Sequence, residues 1–161
     1  MTNPQKTKMK KVIQLLMVDD HPLILQAYKA TLKGFKNEEY DIISTDANSG
    51  KSGYDVIENS TIDFNIAFLD ISIPSYPEKG IESGVDLALL LRKKMPDCKI
   101  LLLTMHTEKL KFKYFFDAVK PEGLVVKNDL TFEELIYAFE KVLNGGTYLS
   151  ETVLQMMIDD H

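Results

Sequence analysis

Residues 12–20 read Val12-Ile13-Gln14-Leu15-Leu16-Met17-Val18-Asp19-Asp20, an apolar run that stops on two adjacent carboxylates. Such a run reads as a buried strand, with the aspartates at its carboxyl end. Outward from it, strand and helix patterns alternate. Leu25, Tyr28 and Leu32 fall at helical spacing and Gly34 marks a stop. Tyr40–Thr45 reads as a strand, Ser49–Glu58 as a short helix and Phe64–Leu69 as a strand. Ser83 and Asp86 signal the start of a helix over Val85–Lys94. Lys99–Leu103 reads as a strand, Glu108–Val119 as a helix and Leu124–Val126 as a short strand. Thr131 and Glu134 form a capping box, and Leu135, Ala138, Phe139 and Val142 give the helix after it an apolar face that ends at Gly145-Gly146.

Strands that alternate with helices must pair in parallel, because each crossover helix covers a sheet face. The expected fold is α/β, a doubly wound parallel sheet of five strands with helices on both faces. Ligands of such sheets bind beyond the carboxyl ends of the strands, where the strand order reverses.

Composition sets the outer limits. The chain has 161 residues, 45% hydrophobic and 27% charged, which suits one globular domain and excludes disorder. Lys+Arg is 19 against Asp+Glu 24, a net charge of −5 that argues against a nucleic-acid-binding domain within these residues. Cys98 is the only cysteine, so a reducing compartment is the default. The longest aliphatic run, Leu87–Leu91, falls far short of the ~20 residues of a membrane helix. No cleavage site follows the lysine-bearing N-terminus. A cytoplasmic protein with a solvated tail over residues 1–10 is expected.

The strand ends carry the chemistry. Asp19 and Asp20 follow the first strand, Asp70 the third, Thr104 the fourth and Lys127 the fifth. Taken singly, each has a plainer reading: a turn, a helix cap, an exposed Lys127-Asn128-Asp129 corner. Their joint occurrence at one sheet edge favours a site. Three gathered carboxylates repel one another and call for a cation, and oxygen donors without clustered Cys or His favour Mg²⁺ or Mn²⁺ over Zn²⁺. A carboxylate beside such an ion can act as a nucleophile toward phosphorus. Asp70, behind the most apolar run nearby, is the best candidate, with Lys127 and Thr104 placed to stabilise phosphoryl oxygens.

Over about Lys11 to Ser150 the sequence resembles a receiver domain of a two-component response regulator. The matching pieces are Val18-Asp19-Asp20-His21-Pro22, Phe68-Leu69-Asp70-Ile71-Ser72-Ile73-Pro74, Leu102-Leu103-Thr104-Met105-His106, Leu124-Val125-Val126-Lys127 and Gly145-Gly146-Thr147-Tyr148-Leu149-Ser150. The first, third and last are most similar to the LuxR/NarL subgroup, whose members carry a C-terminal helix-turn-helix. The resemblance implies a flavodoxin-like strand order, 2-1-3-4-5, and a receiver domain over residues 11–148. It implies that Asp70 accepts phosphate from a sensor histidine kinase. Asp20 binds Mg²⁺ directly, Asp19 through water, and the Ser72 carbonyl is a further ligand. Thr104 is then the switch hydroxyl and Lys127 the phosphate-binding ammonium, while Ser72 and His106 stand where relatives tune acyl-phosphate lifetime. It also implies a phosphorylation-dependent homodimer that dephosphorylates itself and is not a turnover enzyme.

Three departures stand out. Gly84, which matches the glycine after the Asp-x-x-x-Pro segment, is delayed by residues 75–83, an insertion readable as a partial lid, a partner surface or a plain loop. Leu124 stands where many relatives have a rotating aromatic, and Asn128 where many have proline. Phe112, Tyr114, Phe115 and Phe116 cannot all face inward from one helix, so at least one is expected at the surface or in an interface. His21 reads as a loop residue beside the acidic pair, His106 as solvent-facing and Cys98 as an apolar filler. Residues 149–161 read as the start of a linker helix before an absent, DNA-binding output domain. Rival readings are a stand-alone receiver acting through protein contacts, a haloacid-dehalogenase-type phosphatase and an unphosphorylated interaction module.

Overall fold

The computed structural model describes residues 9–35 and 38–158. Residues 1–8 of the expected tail and 159–161 of the expected linker helix lie outside the described residues. Among the described residues, six strands and six α-helices follow one another: β1 Lys11–Val18, α1 Pro22–Lys33, β2 Tyr40–Ala47, α2 Gly50–Asn59, β3 Ile66–Asp70, α3 Gly84–Lys94, β4 Lys99–Thr104, α4 Lys109–Val119, β5 Gly123–Val126, α5 Phe132–Leu143, β6 Tyr148–Leu149 and α6 Glu151–Ile158. Among the described residues no helix is long and apolar enough to cross a membrane.

The sheet order is β2-β1-β3-β4-β5-β6, all pairs parallel. This corrects the expected five strands and 2-1-3-4-5 order by one edge strand. β6 has two residues, too few for an apolar-run signal. It exists because Gly145, at φ 89°, turns the chain back along β5, where the Tyr148 amide donates to the Glu122 carbonyl and the Ser150 amide to the Leu124 carbonyl.

The central strands are buried on both faces and divide their residues by alternation. Ile13, Leu15, Met17, Phe68, Leu101, Leu103 and Val125 pack against α1 and α5 on one side. Leu16, Val18, Ala67, Leu69, Leu102, Leu124 and Val126 pack against α2, α3, α4 and α6 on the other. This period of two turns a continuous apolar run into two cores.

Local chemistry starts the helices. Pro22 opens α1. Ser49 and Ser52 cap α2 reciprocally. Ser83 Oγ accepts from the Val85 amide at 3.1 Å while Asp86 Oδ2 accepts from the Ser83 amide at 3.1 Å, the reciprocal cap of α3. Only half of the expected box forms on α5: Thr131 Oγ1 accepts from the Glu134 amide, but the Glu134 carboxylate turns to the Tyr148 hydroxyl on β6. On α4, Phe112 and Phe115 are buried and Tyr114 is 55% exposed, so the four rings do divide between core and surface.

Residues 75–83 form a small folded hairpin. Tyr76 and Ile81 pair as an antiparallel bridge across a 3₁₀ turn, Pro77–Lys79, with Gly80 left-handed at φ 73°. Ile81 is buried, the Tyr76 ring packs edge-on against Tyr54 of α2, and the Gly50 amide donates to the Pro74 carbonyl at 2.7 Å. The hairpin therefore leans on α2. It delivers the chain to Gly84, where a Cβ would lie 2.1 Å from the Asp70 carbonyl oxygen. Gly84→Ala is accordingly expected to cost about 3 kcal/mol, the upper range for overpacking. Gly34→Ala, with its nearest neighbour at 3.9 Å, is expected to be silent. Urea denaturation of both variants checks this.

Candidate functional site at the carboxyl edge of the sheet

β1, β3, β4 and β5 are consecutive in the sheet, so their carboxyl ends lie side by side. Asp19 and Asp20 follow β1, Asp70 and Thr104 end β3 and β4, and Lys127 follows β5. Lys127 Nζ donates to Asp19 Oδ2 at 2.8 Å and to Asp70 Oδ2 at 2.9 Å. One ammonium thus joins side chains 108 and 57 residues away in sequence. All three are nearly sealed from solvent, with side-chain exposures of 7% for Lys127 and 2% for each aspartate.

Around this ion triad the remaining groups fall into place. The Ser72 amide donates to Asp70 Oδ1 at 3.1 Å. Asp19 Oδ1 accepts from the His21 amide at 2.9 Å and lies 2.8 Å from His21 Nδ1. That imidazole nitrogen is also 3.1 Å from Asp20 Oδ1. Asp19, Asp20, His21 and Asp70 each offer a ligand atom, and these atoms lie within 4.8 Å of one another. His21, expected as a loop residue beside the acidic pair, stands there, with its imidazole against Asp19 and Asp20. Thr104 is fully buried, and its Oγ1 accepts from the His106 amide at 3.0 Å.

The charges do not balance. Three carboxylates face one ammonium, and two of them, Asp19 and Asp70, are buried. Burial is the main cause that raises the Asp70 carboxyl above its ordinary range; Lys127 pulls it back and Asp19 adds to the rise. Burial lowers Lys127, but its hydrogen bonds to Asp19 and Asp70 outweigh this and leave it raised, hence charged. The uncompensated negative charge, on hard oxygen donors, suits a small divalent cation such as Mg²⁺. Tyr28 of α1, read from the sequence only as part of an apolar face, also borders the set. Burial raises its hydroxyl, and Lys127, Asp19 and Asp70 are close enough to act on it. Helical spacing gives no sign of that proximity. Cys98 is buried, and burial pushes its thiol up to about 12, as befits a filler.

A cleft of about 300 Å³ runs beside the site, between the segment after β3 and α4, with Ser72, Glu82, His106, Lys111 and Tyr114 in its lining. A larger one, about 870 Å³, lies between α5 and α6, away from Asp70.

The family model of the response regulator receiver domain matches residues 15–136. Among curated proteins, the transcriptional regulatory protein MctR of Rhizobium johnstonii is 28% identical over 150 residues, which cover 92% of this chain and 63% of that protein. The oxygen regulatory protein NreC of Staphylococcus epidermidis is 25% identical over 150 residues, 92% of this chain and 62% of its own. The chain thus spans about three-fifths of these relatives. Among solved structures, a two-component response regulator of the LuxR family from Aurantimonas has the same fold, with a TM-score of 0.75, 23% identity and coverage of 93% of this chain and 98% of that one. The isolated REC domain of RcsB from Salmonella enterica superposes with a TM-score of 0.75 and 18% identity, covering 91% and 99%.

The electrostatics have opposite consequences for two substitutions. Lys127→Met leaves two buried carboxylates without their cation and is expected to cost about 3 kcal/mol. Asp70→Asn removes one crowded charge and is expected to gain on the order of 1 kcal/mol at neutral pH. Urea denaturation in the presence of a chelator measures both.

Proposed function

The chain belongs to the response regulator receiver domain family, and from that premise we propose that Asp70 is its phosphoacceptor, charged by a sensor histidine kinase. The observation that carries the proposal is the Lys127 ammonium shared between Asp19 and Asp70. In the transfer, an Asp70 carboxylate oxygen forms a bond to phosphorus while the phosphorus–nitrogen bond of the donor phosphohistidine breaks, and the imidazole leaves. Asp70 is suited to this because its carboxylate is held at a strand end by the Ser72 amide and by Lys127, and needs no reorientation. Lys127 then follows the charge onto a phosphoryl oxygen. Thr104, whose oxygen accepts from His106 at rest, turns its hydroxyl proton toward the same group.

Asp19, Asp20, Asp70 and the Ser72 carbonyl would hold a Mg²⁺ ion, which when bound offsets charge on the transferring oxygens. The acidic cluster supports this set and adds His21 at its border. The role in the cell follows as part of the same proposal. The receiver, in the cytoplasm, switches a signalling surface and forms a phosphorylation-dependent homodimer. It dephosphorylates itself and does not turn over free substrate. Its output is a DNA-binding domain of the LuxR/NarL type, joined through the stretch from residue 149 onward. Relatives described as transcriptional regulators, and an RcsB–DNA complex with a similar receiver fold, support that output.

Acetyl phosphate with Mg²⁺ is expected to add one phosphoryl group to wild type, seen by mass spectrometry, and none to Asp70→Asn. Beryllofluoride with Mg²⁺ is expected to shift amide resonances around Thr104 and Lys127. A wild type that stays silent in both, or sustained phosphate release from a generic phosphomonoester, overturns the reading; the latter outcome points to a phosphatase.

A further inference from the structure

Beyond Lys127 the chain makes a single 3₁₀ turn, Lys127–Asp129, and its last residue is held unusually well. Asp129 Oδ2 accepts from Ser150 Oγ at 2.7 Å and from the Thr152 amide at 2.8 Å, and Oδ1 accepts from Thr152 Oγ1 at 2.7 Å. These bonds outweigh the effect of burial and hold the Asp129 carboxyl below its usual range. Ser150 is 1% exposed and anchored independently to the sheet: its Oγ accepts from the Val126 amide at 2.9 Å and its amide donates to the Leu124 carbonyl at 3.1 Å. One carboxylate therefore ties the turn that carries Lys127 to the first turn of α6.

The other face of α6 rests on the second switch arm. Val153 is fully buried in the cluster that contains Phe112, Phe115 and Val119 of α4 together with Leu124 and Val126 of β5, and Met156 packs on its margin. α4 is the helix that follows Thr104. Leu124, at the place where many relatives have a rotating aromatic, lies beneath α6 as a fully buried apolar residue. The two residues placed to answer a phosphoryl group, Thr104 and Lys127, thus each adjoin a different support of one short helix.

We propose that Asp129 is a positioning residue whose clasp with Ser150 and Thr152 couples Lys127 to α6, so that phosphorylation of Asp70 loosens α6 from α4 and β5. This rests on the phosphoacceptor reading above and names its first mechanical consequence. At rest Lys127 bonds Asp70 Oδ2. Once the carboxylate is an acyl phosphate, the negative charge stands farther out, and Nζ follows it. The Lys127 side chain is packed, 7% exposed, so its displacement passes to the single Lys127–Asp129 turn, while Ser150 stays with the sheet, and bonds of 2.7–2.8 Å lengthen. Thr104 concurrently gives up its place under the His106 amide, which frees the segment leading into α4. α6 then loses its polar clasp and its apolar floor together.

Hydrogen exchange of the 161-residue chain, with and without beryllofluoride and Mg²⁺, tests the coupling. In wild type, amides of residues 151–158 are expected to exchange about 5-fold faster or more on addition, the low end of usual coupling strengths. In Asp129→Ala they exchange fast from the start, with little further gain. Linkage is reciprocal, so the same variant is expected to reach half-saturation at a beryllofluoride concentration lower by a similar factor. A residue that served stability alone would not move that concentration downward. Thr152→Val, which keeps the backbone donor and the Ser150 bonds, repeats both readouts more gently and carries the test if Asp129→Ala does not fold. A response around Thr104 and Lys127 with unchanged α6 exchange overturns the coupling and leaves the phosphoacceptor reading standing. Silence at both places overturns the two together. Unchanged or weakened beryllofluoride binding in the clasp variants also overturns the coupling.

Discussion

One ammonium, Lys127 Nζ, lies 2.8 Å from Asp19 and 2.9 Å from Asp70 at the carboxyl edge of the sheet. The rest of the molecule is arranged around that contact. β1, β3 and β5 must end at the same level for it to form, which fixes the parallel order in the middle of the sheet. The apolar residues of these strands hold the level, because each alternates between two cores and a slip of one residue would exchange them. The same burial denies water to the carboxylates, and that keeps the pair strong and leaves the surplus negative charge unanswered. The crowded acids thus weaken the resting fold, and their surplus charge on oxygen donors suits a small divalent cation.

The neighbouring segments bear on this edge from two sides. After β3, Gly84 comes so close to the Asp70 carbonyl that no side chain fits between them, and α3 starts against the end of β3. The hairpin of residues 75–83 makes this approach possible by leaning on α2 and leaving the cleft beside Ser72 and His106 open. After β5, Asp129 carries the position of Lys127 to α6. The site is therefore rigid on its α3 side and linked to a short peripheral helix on the other. A small helix with one fully buried residue, Val153, is the kind of element that local energetics can detach without unfolding the domain.

The residues of the site were readable from the sequence to different depths. Asp19, Asp20, Asp70, Thr104 and Lys127 could be named because each stands directly after an apolar run, and a run marks a strand end wherever it occurs. The reciprocal cap of Ser83 and Asp86 was readable for a similar reason, since its partners are neighbours along the chain. The place of Tyr28 beside the acids and the clasp of Asp129 with Ser150 and Thr152 were not. Their partners come from other elements, and periodicity carries no information about distance across a sheet. Glu134 shows the limit within one motif: its spacing from Thr131 foretold a reciprocal cap, yet Tyr148 from β6 took its carboxylate.

By itself, then, the sequence determined the alternation of strands and helices, the burial of the central strands on two faces and the residue types that close each strand. Those properties follow from short-range rules: hydrophobic period, turn residues and caps. Tertiary structure alone decided the rest. It added β6 at the edge, because a two-residue strand is defined by its hydrogen bonds to β5 and not by its composition. It put one lysine between two aspartates and gave one aspartate three donors from α6 and its approach. Such contacts depend on ångström-scale distances between residues far apart in the chain, and only the packed sheet sets those distances.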